Sequence, residues 1–210
     1  MVVVYGASGH AKEISFFLRK QQVKVDFVVD RNPPSGSKLF DIEVIDEALF
    51  AERFSKTSAI HFYVAIGDMQ LRRKIVQGIR QIFSDSVFPN LVASEGIPDF
   101  DEALSFMGEG NIFFPGTRLT THIRLGSHNH FNQGVSVSHD VVIEDYNTFS
   151  PGARIAGTCS IGSGTFWGVN AVAIDKVSVA DHCVIGAGAV ITRTITEPGT
   201  YAGVPARKIK

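Results

Sequence analysis

Apolar side chains recur at every sixth position along the second half of this 210-residue chain. Residues 111–194 divide into fourteen six-residue blocks without an insertion, and the third residue of each block is apolar. At a hydrophobic content of 44%, such a series would arise by chance on the order of once in 10⁵ chains. The fourteen residues are Phe113, Leu119, Leu125, Phe131, Val137, Ile143, Phe149, Ile155, Ile161, Trp167, Ala173, Val179, Ile185 and Ile191.

A period of six residues predicts a parallel β-solenoid, in which each block forms one flat side and one corner of a coil. The third residue then fills the interior, and the first, which is uncharged throughout and mostly small, lets the corner turn inward. Gly126, Gly162, Gly168 and Gly186 directly follow a third-position residue, and we expect them to supply the unusual backbone angles of tight corners. An antiparallel sandwich is the alternative, but its turn spacing would drift.

The first ninety residues follow another pattern. The apolar run Met1–Tyr5 leads into a glycine turn, Gly6–Ala11, and then into an amphipathic helix from Lys12 to Gln22. Further apolar runs at Val25–Val29 and Ile60–Ile66 predict two more buried strands. Strand, glycine turn, helix and strand form a βαβ unit, so this half is predicted to be a small parallel α/β domain.

The two patterns set the predicted domain boundaries. Residues 1–92 form the α/β domain, residues 93–110 a connector, and residues 111–210 the solenoid with its C-terminal tail. Within the connector we expect one helical turn around Glu102–Phe106.

Composition and charge exclude several classes of function. The formal net charge is −1, which gives no long-range attraction to nucleic acid or to an anionic membrane. No apolar run is long enough to span a bilayer, and Met1–Tyr5 lacks the features of a secretory signal. The two cysteines form no disulfide framework, so we expect a cytoplasmic protein.

The glycine turn is the first candidate for binding. Because Gly6–Ala11 opens a helix after a strand, its backbone N–H groups are suited to a phosphate. Asp30 lies 24 residues after Gly6, near the spacing at which an acid contacts a ribose hydroxyl. The glycine motif is incomplete, since Ala11 takes the place of its third glycine, so a tight turn without a ligand is the alternative.

His139 is the candidate for catalysis. If three blocks form one coil, residues 18 apart stack, which places Thr121, His139 and Gly157 in one column. An imidazole beside a glycine N–H provides a general base next to an oxyanion donor, and Asp140 can fix the ring tautomer. The alternative is a solvated surface histidine next to an aspartate.

Four sequence segments carry a family resemblance: VVVYGASGHAKE near the start, AIG at Ala65–Gly67, SVSHD around His139, and GVPAR near the end. With the repeats, they resemble the nucleotide-sugar acetyltransferases of the left-handed β-helix (hexapeptide repeat) superfamily. Within this superfamily, the sequence resembles the bacillosamine/perosamine N-acetyltransferases and the sialic-acid O-acetyltransferases. This resemblance implies a left-handed parallel β-helix, a homotrimer, acetyl-CoA between neighbouring solenoids, and a sugar nucleotide in the N-terminal domain.

The implied reaction is transfer of acetyl to the 4-amino group of a nucleotide-linked amino-deoxy sugar, with UDP expected, in bacterial surface-glycan or glycoprotein sugar synthesis. His139 is the implied base, Asp140 its support, and Gly157 the N–H that faces the thioester. The implied substrate contacts are Ser8, Gly9, His10, Asp30, Arg31, Gly67 and Asn132, and the coenzyme contacts are Thr148, Gly157, Val169 and Ala187.

This chain departs from the pattern at two of the implied site positions and in the connector around Ala93–Ser94. Thr148 stands where relatives often have a second histidine, and Arg31 where they often have a second aspartate. The first departure leaves His139 as the single expected base, and the second leaves the nucleotide base open.

Three alternatives stay open. A sugar O-acetyltransferase of the sialic-acid type would use the same base on a hydroxyl. A trimeric zinc enzyme like the β-solenoid carbonic anhydrases would use histidines, but no pair here has the required five-residue spacing, so no metal is expected. A non-catalytic nucleotide-binding scaffold would not bind acetyl-CoA.

Overall fold

The computed structural model describes residues 1–93 and 103–210, which form two compact units, Met1–Leu91 and Val92–Lys210. Of the predicted connector, residues 94–102 lie outside the described residues. In the described part of the helical turn predicted around Glu102–Phe106, Ala103 is helical, whereas Leu104–Met107 form a strand that pairs in parallel with Ile123–Leu125. Among the described residues, no helix has the length and apolar character needed to cross a membrane.

The first unit is a five-stranded sheet with helices. Its strands run in the order β3-β4-β2-β1-β5, parallel except for the antiparallel β3–β4 pair. The elements are β1 (Val2–Tyr5), α1 (Gly9–Lys20), β2 (Phe27–Asp30), β3 (Lys38–Leu39), β4 (Ile42–Asp46), α2 (Glu47–Phe54), β5 (His61–Val64) and α3 (Met69–Ile82).

The core of this unit surrounds β1, which lies between β2 and β5 in the sheet. Val3 and Val4 of β1 are fully buried, and α1 buries Ala11, Ile14 and Leu18. The α1 helix begins at Gly9, three residues earlier than the apolar pattern predicted, so the predicted glycine turn supplies its first turn. The carboxyl ends of β1 and β2 therefore lie next to the start of this helix, as in a βαβ unit.

The second unit is a solenoid. Its strands are β6 (Leu91–Val92, at the unit boundary), β7 (Leu104–Met107), β8 (Ile112–Phe113), β9 (Arg118–Leu119), β10 (Ile123–Leu125), β11 (His130–Phe131), β12 (Ser136–Val137), β13 (Val142–Ile143), β14 (Thr148–Phe149), β15 (Arg154–Ile155), β16 (Ser160–Ile161), β17 (Phe166–Trp167), β18 (Val172–Ala173), β19 (Ser178–Val179), β20 (Cys183–Ile185), β21 (Val190–Ile191), β22 (Gly199–Ala202) and β23 (Arg207–Lys208).

Three parallel sheets form the sides of the solenoid. Their strand orders are β19-β16-β13-β10-β7, β21-β18-β15-β12-β9 and β22-β20-β17-β14-β11-β8, with β23 added antiparallel to β22. From β8 to β21, paired residues lie 18 apart, as Ser136 and Arg154 or Val142 and Ser160 do. One coil therefore contains three blocks, which confirms the predicted stacking.

The third-position residues form the core of the solenoid. All fourteen are at most 3% exposed. The rings of Phe113, Phe131, Phe149 and Trp167 stack in succession, with centroids 4.8, 4.9 and 5.7 Å apart. Stacked coils thus bury one continuous apolar column, which no single block can do alone.

The corners use two different devices, and the sequence interpretation assigned one of them wrongly. The residue with positive φ is the sixth of each of the first thirteen blocks, and φ lies between 55° and 77° at every sixth position from Gly110 to Gly188. Gly126, Gly162, Gly168 and Gly186 do not have positive φ. They are glycines because a Cβ would press against the next coil; at Gly168 it would overlap the backbone N of Ala187.

Candidate active site

His139 and Gly157 lie at the same corner in successive coils. The backbone links of the column are direct: Thr158 N donates to His139 O at 2.9 Å, and Asp140 N donates to Thr121 O at 3.1 Å. The predicted column of Thr121, His139 and Gly157 is therefore confirmed.

The imidazole of His139 lies against the backbone of Gly157. A Cβ at position 157 would be 2.7 Å from both Cε1 and Nε2 of the ring. The His139 side chain is still 58% exposed. Glycine is therefore needed here so that the ring can lie across the coil while one edge stays open to solvent.

Asp140 sets the protonation of the ring. Nδ1 of His139 lies 2.9 Å from Asp140 Oδ2. Because an ionised carboxylate only accepts hydrogen bonds, Nδ1 is the protonated nitrogen of the neutral ring, and in that tautomer Nε2 presents its lone pair. In this tautomer the ring can accept a proton at Nε2.

In this structure the amide of Gly157, predicted to face a thioester, is bonded within the chain. Its N–H donates to Oδ1 of Asp175 at 2.9 Å, so a carboxylate of the chain occupies the donor expected to face a thioester oxygen. Asp175 was missed, although it lies 36 residues after His139, two coils further along the same column. Burial raises the pKa of the nearby Cys159 thiol, two backbone hydrogen bonds partly offset this, and the charge of Asp175 makes the smallest contribution.

The histidines do not converge on a metal site. His122 Nδ1 lies 4.0 Å from Asp140 Oδ1, on the exposed corner. His128 and His130 are buried, and His128 stacks on Tyr146 with ring centroids 5.0 Å apart. Among residues 1–93 and 103–210, no group of three or more His, Cys, Asp or Glu side chains is placed to hold a metal ion.

The other predicted solenoid residues lie away from the His139 corner. Thr148 is in β14 and only 6% exposed, which leaves little surface for a coenzyme contact. The side chain of Asn132 donates to Phe149 O at 2.7 Å and links two coils. Val169 is 47% exposed and Ala187, also exposed, follows it in the next coil, with Gly188 N bonded to Val169 O. These two therefore form an apolar strip on another corner.

A pocket of about 400 Å³ in the first unit brings together three of the predicted substrate residues. Ser8, Asp30 and Arg31 line it, beside Lys38 from β3, which the sequence interpretation missed. His10 and Gly67 are not among its lining residues. The remaining lining residues are Ala7, Asn32, Pro33, Pro34, Ser37, Leu39 and Val44.

The polar groups of this pocket are partly held by each other. Asp30 Oδ2 accepts the Ala7 N–H at 2.6 Å, which fixes the glycine turn against β2. Arg31 Nε donates to Glu47 Oε2 at 2.7 Å, and its side chain remains 62% exposed. Asp30 thus orders the turn, while Arg31 and Lys38 supply the positive charge of the pocket.

His10 lies on the first turn of α1, and its side chain is largely shielded from solvent. Burial, with a smaller contribution from Arg72, lowers its pKa to about 4. Arg72 is fully buried and donates to Ile66 O at 2.7 Å, at the AIG turn. His10 is therefore neutral at pH 7, and Arg72 holds the neighbouring turn.

Two family profiles cover most of this architecture. Residues 1–79 match the PglD N-terminal domain, and residues 158–193 match the bacterial transferase hexapeptide, described as six repeats. The chain thus joins a PglD-type domain to a hexapeptide solenoid, which confirms the predicted fold class.

Individual relatives match over nearly the whole chain. GDP-perosamine N-acetyltransferase of Escherichia coli O157:H7 is 27% identical over 197 residues, which are 91% of this chain and 78% of that protein. A variant of perosamine N-acetyltransferase from Caulobacter crescentus, solved with CoA and GDP-perosamine, is 26% identical with a TM-score of 0.89 and covers 100% of this chain and 96% of its own. WeeI from Acinetobacter baumannii AYE is 27% identical with a TM-score of 0.84, over 100% and 99% of the two chains.

The chain is therefore homologous to the acetyltransferases of the hexapeptide superfamily, as the sequence resemblance predicted.

Proposed function

We propose that this protein transfers the acetyl group of acetyl-CoA to the amino group of a nucleotide-linked amino sugar, with His139 as general base. The class of enzyme, an acetyl-CoA-dependent acetyltransferase, follows from its homology. The observation that supports the assignment of the base is the His139–Asp140 pair, which directs Nδ1 to the carboxylate and leaves Nε2 of the neutral ring as the acceptor on an exposed corner.

The balance of the reaction is simple. His139 Nε2 accepts the proton that the amine loses as its nitrogen attacks the thioester carbon. A C–N bond forms, the C–S bond breaks, and the imidazolium returns its proton to the departing thiolate. A positioned base contributes roughly 10²–10⁴-fold to such a rate, and alignment of the two substrates contributes more.

The two substrates have suitable surfaces on separate units. The apolar strip of Val169 and Ala187 suits the alkyl portion of an extended coenzyme. The pocket with Arg31 and Lys38 suits the diphosphate of a sugar nucleotide. We propose that the solenoid binds acetyl-CoA and that the α/β unit, residues 1–92, binds the nucleotide.

For the nucleotide base, the named relatives favour guanine over the uracil that the sequence resemblance suggested. Both the Escherichia coli protein and the Caulobacter crescentus structure are described with GDP-perosamine. We therefore place GDP-perosamine first among the acceptors and a UDP-linked 4-amino sugar second.

The test is release of CoA thiol by the purified protein with acetyl-CoA and these acceptors, with free sialic acid as the hydroxyl acceptor. Turnover on an amino-sugar nucleotide, lowered by roughly 10²–10⁴-fold in His139→Asn, is the expected result. Turnover on sialic acid alone would move the acceptor to a hydroxyl. Failure to bind acetyl-CoA at all would contradict the proposal.

A further inference from the structure

The His139 corner contains a carboxylate that the proposed base does not use. Asp175 lies in the coil after Gly157, is exposed, and accepts the Gly157 N–H with Oδ1 at 2.9 Å. Gly157 is the residue whose Cα face supports the imidazole of His139. The Gly157 N–H, which is the hydrogen-bond donor next to His139, is thus already bonded to a side chain of the protein.

The same kind of contact occurs at another corner without a catalytic group. Asp181 Oδ1 accepts the Ser163 N–H at 2.7 Å, and Asp145 Oδ1 accepts the Ser127 N–H at 2.6 Å. There the carboxylate links successive coils. A purely structural role for Asp175 would therefore make it equivalent to Asp181, and the two can be compared directly.

At the His139 corner the contact has a chemical consequence. The Gly157 amide has a single proton, so a thioester oxygen next to His139 competes with Asp175 for it. The charge of Asp175 also opposes the negative charge that develops on that oxygen. Because Asp175 is exposed, water can replace the amide as its hydrogen-bond partner. Breaking the bond between Asp175 and Gly157 therefore costs little free energy.

We propose that Asp175 is a positioning residue that holds the Gly157 amide in the free protein and exchanges it for the carbonyl oxygen of bound acetyl-CoA. This inference rests on the proposed function, since it requires the acetyl group to lie beside His139. Asp175 then sets the affinity of the His139 corner for an acyl thioester relative to a coenzyme derivative that has no carbonyl group.

The experiment compares two ligands that differ at that oxygen. Acetyl-CoA and S-ethyl-CoA are titrated calorimetrically into the wild-type protein, Asp175→Ala and Asp175→Asn, with Asp181→Ala as the matched control. In Asp175→Ala we expect the preference for acetyl-CoA over S-ethyl-CoA to rise roughly two- to tenfold, the range of one solvent-exposed hydrogen bond. In Asp175→Asn the rise should be smaller, because its carbonyl oxygen still accepts the N–H. Asp181→Ala should leave the preference unchanged.

Two results of this titration would overturn the inference. If both Asp175 variants bind the two ligands with the wild-type preference, the inference is wrong. It is also wrong if Asp175→Ala weakens both ligands equally and matches Asp181→Ala, because Asp175 is then only a link between coils. Should Asp175→Ala fail to fold, Asp175→Asn gives the answer, since it keeps the hydrogen bond and removes the charge.

A spectroscopic measurement separates this inference from the proposed function. In ¹⁵N-labelled wild-type protein, the Gly157 amide resonance should shift with acetyl-CoA and not with S-ethyl-CoA. Equal shifts with both ligands would overturn the inference and leave the acetyltransferase intact. If neither coenzyme binds, the proposed function itself fails, and this inference fails with it.

Discussion

The hydrogen bond between His139 and Asp140 is the contact on which the chemistry of single residues depends. It fixes the proton on Nδ1 and leaves Nε2 able to accept one. Gly157 allows this arrangement, because any side chain there would meet the imidazole.

At this scale we predict that His139→Asn lowers kcat by roughly 10²–10⁴-fold, the usual contribution of a general base. The affinity for acetyl-CoA should stay close to wild type, because the ring is replaced by a smaller polar group on an exposed corner. Steady-state kinetics and calorimetry measure the two quantities. Loss of coenzyme affinity together with turnover would make His139 a structural residue instead.

His10 gives a prediction about pH. Its pKa is about 4 when folded and about 6.5 when unfolded, so between these values the unfolded chain binds the extra proton. The stability of the first unit should therefore fall by roughly 3 kcal/mol as the pH drops from 6.5 to 4. His10→Gln should remove most of this slope.

The measurement is amide hydrogen exchange in β1, which reports on the stability of the first unit. Tryptophan fluorescence would report on the solenoid instead, because the single tryptophan, Trp167, belongs to it. His182→Gln, which changes an exposed histidine of the solenoid, is the control. An unchanged slope in His10→Gln would contradict the prediction.

At the scale of elements, the solenoid is built from two-residue strands and corners that repeat every six residues. Positive φ at the sixth position turns the chain, and close approach between coils requires a small residue after several strands. Neither device stabilises a single block alone, so the elements depend on their neighbours above and below.

The close approach between successive coils predicts the effect of Gly168→Ala. Its Cβ would overlap the backbone of Ala187 in the next coil, so we expect a loss of about 1–3 kcal/mol, typical of overpacking. Gly78→Ala in α3 is the matched control, since nothing lies within 4 Å of its Cβ and alanine favours helix by up to about 1 kcal/mol. Thermal unfolding should shift in opposite directions for the two variants. Equal melting of Gly168→Ala and wild type would refute the packing explanation.

At the scale of the whole molecule, several exposed apolar side chains lie on the solenoid. Val169, Ile174 and Val184 are 47%, 41% and 36% exposed. Such residues are common at surfaces between subunits. They are consistent with the homotrimer that the sequence resemblance implies, which stays a prediction.

We predict that sedimentation equilibrium gives a species of about three times the 22.8 kDa chain mass. Val169→Asp places a charge in the apolar strip, so it should shift the population toward smaller species. Ser160→Asp, on an exposed position of β16, is a control for added charge. A monomeric wild-type protein would exclude a site shared between solenoids.

The sequence by itself determined the features that repeat. Apolar residues at every sixth position specify stacked coils of 18 residues, because only that period buries all fourteen side chains together. The same arithmetic placed His139 next to Gly157. The apolar runs and the glycine turn likewise predicted a βαβ unit, and Asp30, predicted from its spacing as a binding residue, lines a pocket there.

The tertiary structure alone decided which partner each polar group takes. That Gly157 N–H bonds Asp175, that Asp30 accepts the Ala7 amide, and that Thr148 is nearly buried are results of geometry between coils or strands. A periodic pattern specifies which residues stack. It does not specify which of two nearby acceptors an N–H reaches, because that choice depends on distances of a few tenths of an ångström.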